Sequence, residues 1–502
     1  MDHRIERLRH AAAVINDLEK AAALLSWDEE TKMPPGGAEA RAEQRATLHR
    51  LAHEHLISDE VAGLLEDLEP FEPSLDPESD QAALIRVLRR DHEKARRVPP
   101  ELHAEMVRSG SKGYRAWLAA REGEDFESML PHYERGLELR RRYVECFAPY
   151  NDPYDVLLDD YEPGMKTGEV EEIFEQLKTA LVPMIQAVAQ ADPVEDSFLR
   201  GGLPIEPQRR FSAWALEKFG VDSEHWRLDD TVHPFASSTS SADIRITTRF
   251  RETDLGGILA CFHEFGHGIY ERQVAPELGR SPLGSGVSAA LHESQSRMWE
   301  NLVGRGISCW RCFYPRLQEE LSDNLGAVSV EEFHRAINKV HPSLVRVEAD
   351  EVTYNLHIIL RFELERELLS GRLAPKDLRE AFNTKMEEYV GLTPTDLKHG
   401  VLQDVHWSDF SFGYFPTYAL GNVISVQIWE RAIADVPDLN EQFERGEFGA
   451  LREWLREHVH RYGRKFTPQE TVLRAAGGPI DPGPYLDYLE RKLGEVFGAA
   501  VI

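Results

Sequence analysis

The stretch Cys261-Phe262-His263-Glu264-Phe265-Gly266-His267-Gly268 decides how the chain is read. His263 and His267 are four residues apart, so on a helix they project from one face, one turn above the other. Two imidazoles so placed can share one zinc ion, and Glu264 beside them can reach a water on the same metal. Gly256-Gly257-Ile258-Leu259-Ala260-Cys261-Phe262 runs into the motif and is apolar. A surface helix with two unrelated histidines is the bland alternative. A buried helix, however, needs a reason to carry His, Glu and His, and metal ligation is such a reason.

Working outward, Asp243 to Phe250 alternates polar and apolar residues, the pattern of a half-buried strand. It leads into the metal helix, which is expected to begin near Thr253 or Asp254. An exposed edge on such a strand would hold a peptide extended beside the metal. His233-Pro234-Phe235-Ala236-Ser237-Ser238 before it reads as a polar loop, and Pro276 to Ser288 as a glycine-rich one. The rest is helical in pattern. Leu8, Ala11, Ala12, Ile15, Leu18 and Ala22 recur at helical spacing, with breaks expected at Trp27-Asp28-Glu29 and at Met33 to Gly37. Helices are expected over about 79–97, 100–121, 125–147, 168–191, 351–370, 422–436, 447–461 and 483–496. Gly400 to Tyr418 reads as an aromatic-rich loop. The fold class is therefore mainly α-helical, with one small β-sheet beside the site.

Composition bounds the partners. Asp and Glu number 87 against 58 Lys and Arg, a formal charge of -29 over 502 residues. Such a surface repels nucleic acid and anionic membrane, so neither is expected as a partner. No apolar run approaches the roughly 18 residues that span a bilayer. Residues Met1 to Arg7 lack an apolar core, so no secretory leader is expected. Four cysteines make no disulfide framework, and a cytoplasmic location fits. Cys309-Trp310-Arg311-Cys312 has redox or zinc-knuckle spacing but no second pair, and reads as helix packing.

Two histidines leave a catalytic zinc short of a third protein ligand. The downstream candidates are Glu271, Glu277, Glu293 and Glu300. Glu271 shares the histidine face but lies about 6 Å further along the helix axis, and Glu277 sits in the glycine-rich loop. Glu293 and Glu300 are seven apart, roughly on one face of a later helix. Glu293 is favoured, because 26 residues after His267 leave room for the chain to turn and return antiparallel.

His263-Glu264-Phe265-Gly266-His267 followed by His292-Glu293-Ser294-Gln295 resembles the Taq-type metallocarboxypeptidase family. So do His233-Pro234-Phe235, Asp243-Ile244-Arg245-Ile246-Thr247, Val345-Arg346-Val347-Glu348-Ala349-Asp350 and Gly400-Val401-Leu402-Gln403-Asp404-Val405-His406-Trp407, in the family's order. Val345 stands where the family usually has Ile or Asn; against Ile, the β-branched shape is kept. The resemblance implies a single helical peptidase domain over 1–502 with a deep central groove, akin to neurolysin and angiotensin-converting enzyme. A part covering the groove would occupy about 1–200 and a catalytic part about 201–502. It implies a homodimer acting on peptide substrates, removing single C-terminal residues with broad specificity and with proline disfavoured. One divalent metal per chain is implied, zinc before cobalt or manganese, held by His263, His267 and Glu293, with Glu264 as general base. Arg346 would bind the terminal carboxylate, and His406 and Tyr418 would lie near the reacting carbonyl, with Tyr414 on the same aromatic loop as the alternative to Tyr418. His233, Asp243, Arg245 and Gln403 are the further substrate-binding residues it marks.

The chemistry is consistent with those roles. A metal-activated water needs a base, and an exopeptidase must recognise a free carboxylate, for which a bidentate guanidinium is suited. From the residues alone, Arg346 has a competing use as an ion pair with Glu348 or Asp350. The rival enzyme readings are an endopeptidase or a dipeptidyl-carboxypeptidase on the same metal site. The reading outside enzymes is a helical scaffold with an inert metal, against which the presence of Glu264 argues.

Overall fold

The metal motif does form a helix, Gly256–Gln273, and its apolar side is buried in aromatic rings. In this computed structural model, which describes residues 2–498, Phe262 and Phe265 are fully buried. Phe219 packs edge-on against Phe262 at 4.9 Å and against Phe448 at 4.8 Å, and Phe265 meets Trp299 at 4.7 Å. Edge-to-face pairs of this kind fix ring orientation as well as burying area. Met1 of the opening segment lies outside the described residues.

The chain divides into two units, each made of three segments. The first comprises Met1–Arg96, Glu195–Ile337 and Ile428–Pro479, and the second Arg97–Val194, Asn338–Gln427 and Ile480–Ile502.

In the first unit a three-stranded sheet accompanies the metal helix: β1 (Trp226–Asp230), β2 (Ala236–Ser240) and β3 (Asp243–Thr248), in the order β1-β3-β2. β3 is the strand read from alternation, ending at Thr248 instead of Phe250. The expectation of a free edge on it is overturned, since β1 pairs with one side in parallel and β2 with the other antiparallel. Part of the stretch read as a polar loop has become β2. Ala-Ser-Ser-Thr-Ser carries no apolar alternation, so its state is set by the ladder it joins and not by its own pattern.

The N-terminal helix runs unbroken over Asp2–Thr31, through the expected break at Trp27. Trp27 is buried because the guanidiniums of Arg227 and Arg245 lie over its ring, each 4.6 Å from the centroid. Ile5, Leu8 and Ala12 of this helix share a buried cluster with Leu64, Leu68, Leu84 and Leu88.

The second unit contains a helix, Thr353–Ser370, buried nearly all round and stopped by Gly371 in the left-handed region (φ 77°). Polar groups inside it must find partners. Glu365 accepts from the Tyr154 hydroxyl at 2.6 Å, Trp407 Nε1 at 2.9 Å and Gly413 N at 3.0 Å, which holds the 407–413 loop in place. The next helix starts at Phe415, not near 422, so Tyr418 belongs to its first turn and not to a loop. All four cysteines are free, with Cys309 buried on the helix Ile307–Glu320. Among the described residues no helix is long and apolar enough to cross a membrane.

Candidate metal centre

Gly266, inside the motif, is what lets a second helix approach. A Cβ there would lie 2.4 Å from the carbonyl oxygen of Gln295, so only glycine admits the returning helix Ala289–Arg297 at this distance. That approach delivers Glu293. Its Oε2 lies 3.4 Å from His267 Nε2 and 3.7 Å from His263 Nε2. Ligand atoms of these three residues all fall within 4.8 Å of one another. With zinc-ligand bonds of about 2.0–2.2 Å, tetrahedral ligands sit about 3.3–3.6 Å apart, close to the two separations from Glu293, so the trio could hold one ion.

The hydrogen bonds behind the trio set which histidine nitrogen is left free toward the space between the three side chains. His263 Nδ1 is 2.8 Å from Glu300 Oε2, and a carboxylate there accepts the Nδ1–H hydrogen bond; in the neutral ring this leaves Nε2 with the free lone pair. His267 Nδ1 is 2.7 Å from His292 Nδ1, and His292 Nε2 is 3.0 Å from Glu271 Oε1. If His292 donates to Glu271, its Nδ1 accepts from His267, and Nε2 of His267 is again the free lone pair. Burial holds the His267 pKa down to about 4, so this ring is neutral near pH 7. Glu293 is anchored by Arg297 Nε at 2.7 Å and by the Ser296 hydroxyl at 3.1 Å. Burial pushes its pKa up, but Arg297 and the two histidines outweigh it and keep the carboxyl well below the usual range.

Glu264 differs from every other acid here. Its Oε2 is buried and has no hydrogen-bond partner, and burial pushes its pKa up to about 7. A buried, unpaired carboxyl oxygen beside a metal-spaced trio suits a proton acceptor for a reacting water.

Of the four glutamates weighed for the third position, Glu293 is the one that reaches both histidines. Glu271 is committed to His292, the Ser238 hydroxyl (3.0 Å) and Gly286 N (2.9 Å). Glu277 is exposed. Glu300 meets His263 from the opposite nitrogen; it sits within a π-helical turn, Met298–Val303, that continues the helix carrying Glu293. Such turns redirect side chains and recur at functional sites.

The second unit carries its own polar cluster. Arg346 is 5% exposed and donates to Asp404 Oδ1 through Nε (3.0 Å) and Nη2 (2.7 Å), and to the Tyr354 hydroxyl at 2.9 Å. Arg361 Nε donates to the other oxygen of Asp404 at 2.7 Å. Neither Glu348 nor Asp350 is the partner of Arg346. Asp350 instead accepts from the backbone N–H groups of Val352 and Thr353. Two guanidiniums share one carboxylate, so the cluster has one buried positive charge in excess. Gln403 uses both ends of its amide on backbone, accepting from Arg346 N (2.8 Å) and donating to Leu344 O (3.0 Å), which positions the arginine segment. His406 Nε2 is 3.3 Å from the Tyr418 hydroxyl, and burial holds its pKa down to about 4. Tyr414 packs its ring on His406 at 5.6 Å.

In the first unit, Arg245 donates twice to Asp243, at 2.9 Å each, and covers Trp27. His233 is exposed between β1 and β2.

A family model described as carboxypeptidase Taq (M32) metallopeptidase matches residues 7–493. Thermostable carboxypeptidase 1 of Thermus thermophilus is 42% identical over 492 residues, 96% of each chain. Carboxypeptidase 1 of Bacillus subtilis is 35% identical over 485 residues, again 96% of each. The crystal structure of the M32 carboxypeptidase from Deinococcus radiodurans R1 is 39% identical and superposes with a TM-score of 0.96, over 99% of this chain and 100% of that one. The chain therefore belongs to the carboxypeptidase Taq (M32) family of metallopeptidases and is a metallocarboxypeptidase.

Proposed function

We propose that His263 Nε2, His267 Nε2 and the Glu293 carboxylate hold one zinc ion, and that the enzyme removes single residues from peptide C-termini. The observation that carries this reading is the spacing of the trio around a common point, with each histidine's other nitrogen already engaged. A divalent ion held there supplies Lewis acidity toward water and carbonyl. Glu264 takes the proton of the attacking water and passes it to the leaving amine; its orphan oxygen and raised pKa support that role. Arg346 binds the substrate's terminal carboxylate, for which the excess positive charge of the Arg346-Asp404-Arg361 cluster is the support. Neutral His406 and the Tyr418 hydroxyl serve as hydrogen-bond donors to the reacting carbonyl.

An anchor that grips the terminal carboxylate ties cleavage to the chain end, and that separates this reading from an endopeptidase. Broad side-chain tolerance with proline disfavoured, action as a homodimer and a cytoplasmic location complete the proposal. The test is a time course on a free-acid peptide of eight residues or so, with products read by mass. Loss of one residue at a time is expected. Release of dipeptides or internal fragments would transfer the function to the rival class.

A further inference from the structure

The first unit holds a cavity of about 440 Å³ at the C-terminal end of the metal helix, and four arginines line it: Arg272, Arg452, Arg456 and Arg461. Arginines in so acidic a chain are expected to be paired, and two of these are. Arg456 donates to Glu453 at 2.9 Å, and Arg461 to Glu457 at 2.5 Å. Arg272 and Arg452 have no ion pair among the described residues. Arg452 is the more telling, because its Nε is buried and makes no hydrogen bond.

The backbone makes room for it. Gly220 ends the helix Ile205–Phe219 at φ 103°, and a Cβ there would fall 1.7 Å from Arg452 Nη1. The guanidinium therefore lies directly on bare backbone. Two carboxylates reach the cavity. Asp222 is already occupied by His225 Nδ1 (2.8 Å) and the N–H of Glu224 (2.9 Å), and Glu277 is exposed.

Two helix C-termini, those of Ile205–Phe219 and of the metal helix, adjoin the cavity and offer a competing reason for arginines there. Each termini contributes the equivalent of roughly half a negative charge at most. That would explain one cation, and a capping arginine would donate to the last carbonyls, whereas Arg452 Nε donates to none. Two unpaired guanidiniums brought in from different helices call for an acceptor with several charged oxygens, which a phosphate group has. The volume exceeds that of a lone phosphate and lies in the range of small-molecule sites, about 300–1,000 Å³.

We propose that this cavity is a binding site for a phosphate-bearing small molecule, held by Arg452 and Arg272. Nothing in it depends on the reading of the metal centre. The probe is inorganic phosphate, titrated calorimetrically into the metal-loaded enzyme in chloride buffer. Wild type is expected to bind one phosphate per chain through this site, and Arg452→Met or Arg272→Met to weaken that binding by about tenfold or more. Turnover without phosphate should be unchanged in both variants. Glu277→Gln removes a repelling carboxylate and should tighten binding, roughly twofold to fivefold, a gain that misfolding cannot mimic. No saturable binding by wild type, or identical isotherms for wild type and all three variants, would overturn the proposal.

Discussion

Glu300 touches no ion in this account, yet its removal should be felt at the metal. Glu300 Oε2 lies 2.8 Å from His263 Nδ1, and its carboxyl is ionised: Arg297 and His263 outweigh the burial that would raise its pKa and hold it at about 2. Glu300→Gln keeps the shape and an acceptor oxygen but discards the charge. A charged hydrogen bond contributes about 1.5–3 kcal/mol and a neutral one about 0.5–1.5, so the loss is of order 1–1.5 kcal/mol. That converts to about tenfold in zinc affinity, at the low end of the 10–100-fold typical of groups that orient a metal-binding histidine. Glu300→Ala also leaves the His263 N–H without its acceptor, and should approach a hundredfold. The assay is competition for zinc against a chromophoric chelator, with far-UV circular dichroism to check the fold. Arg297 keeps its 2.7 Å bond to Glu293 in both variants, so the fold should survive. Affinities within twofold of wild type for both substitutions would refute the reasoning about His263.

Three further outcomes are expected. Glu293→Ala should show clearly reduced metal occupancy by elemental analysis; full occupancy would remove Glu293 from the ligand set. Glu264→Gln should keep fold and metal but lose about a hundredfold or more in turnover, since an amide cannot accept the water's proton. Rates within about tenfold of wild type would remove Glu264 from the mechanism. The pH profile follows the same group: Glu264 must be ionised to act, so kcat/KM falls as pH drops through its pKa. Burial places that pKa at about 7, and a nearby divalent cation favours the ionised form, so the acid limb belongs at or below pH 7. His406, held down to about 4 chiefly by burial, stays neutral there and adds no second limb. An acid limb centred above pH 8 would contradict the assignment of Glu264.

The grouping of His263, His267 and Glu293 was legible in the sequence because its signal is local. His263 and His267 are one helical turn apart, and 26 residues are enough for a return to Glu293. The roles of Glu300 and His292 were harder, since each depends on how a second helix lies against the first. The seven-residue spacing of Glu293 and Glu300 put both on one face, but the π-helical turn that carries Glu300 has no pattern of its own. Asp404 was missed as the partner of Arg346 for a similar reason. It lies 58 residues away, and the nearer acids Glu348 and Asp350 were the local choices. β1 and β2 escaped because Trp-Arg-Leu-Asp-Asp and Ala-Ser-Ser-Thr-Ser become strands through pairing with β3. Tyr418 was read into a loop, whereas Phe415 and Pro416 already begin the helix, proline being well suited to a first turn.

The measurement that bears most directly on exopeptidase action compares one peptide as free acid and as C-terminal amide, on wild type and on Arg346→Ala. A buried terminal carboxylate without its cation loses about 2–5 kcal/mol. Wild type is therefore expected to prefer the free acid strongly, and Arg346→Ala to lose about a hundredfold or more in kcat/KM on it while the amide changes little. Lys at 346 should recover only part, keeping the charge without the two-pronged geometry. Equal trimming of acid and amide by wild type, or an equal loss on both in Arg346→Ala, would contradict the carboxylate anchor.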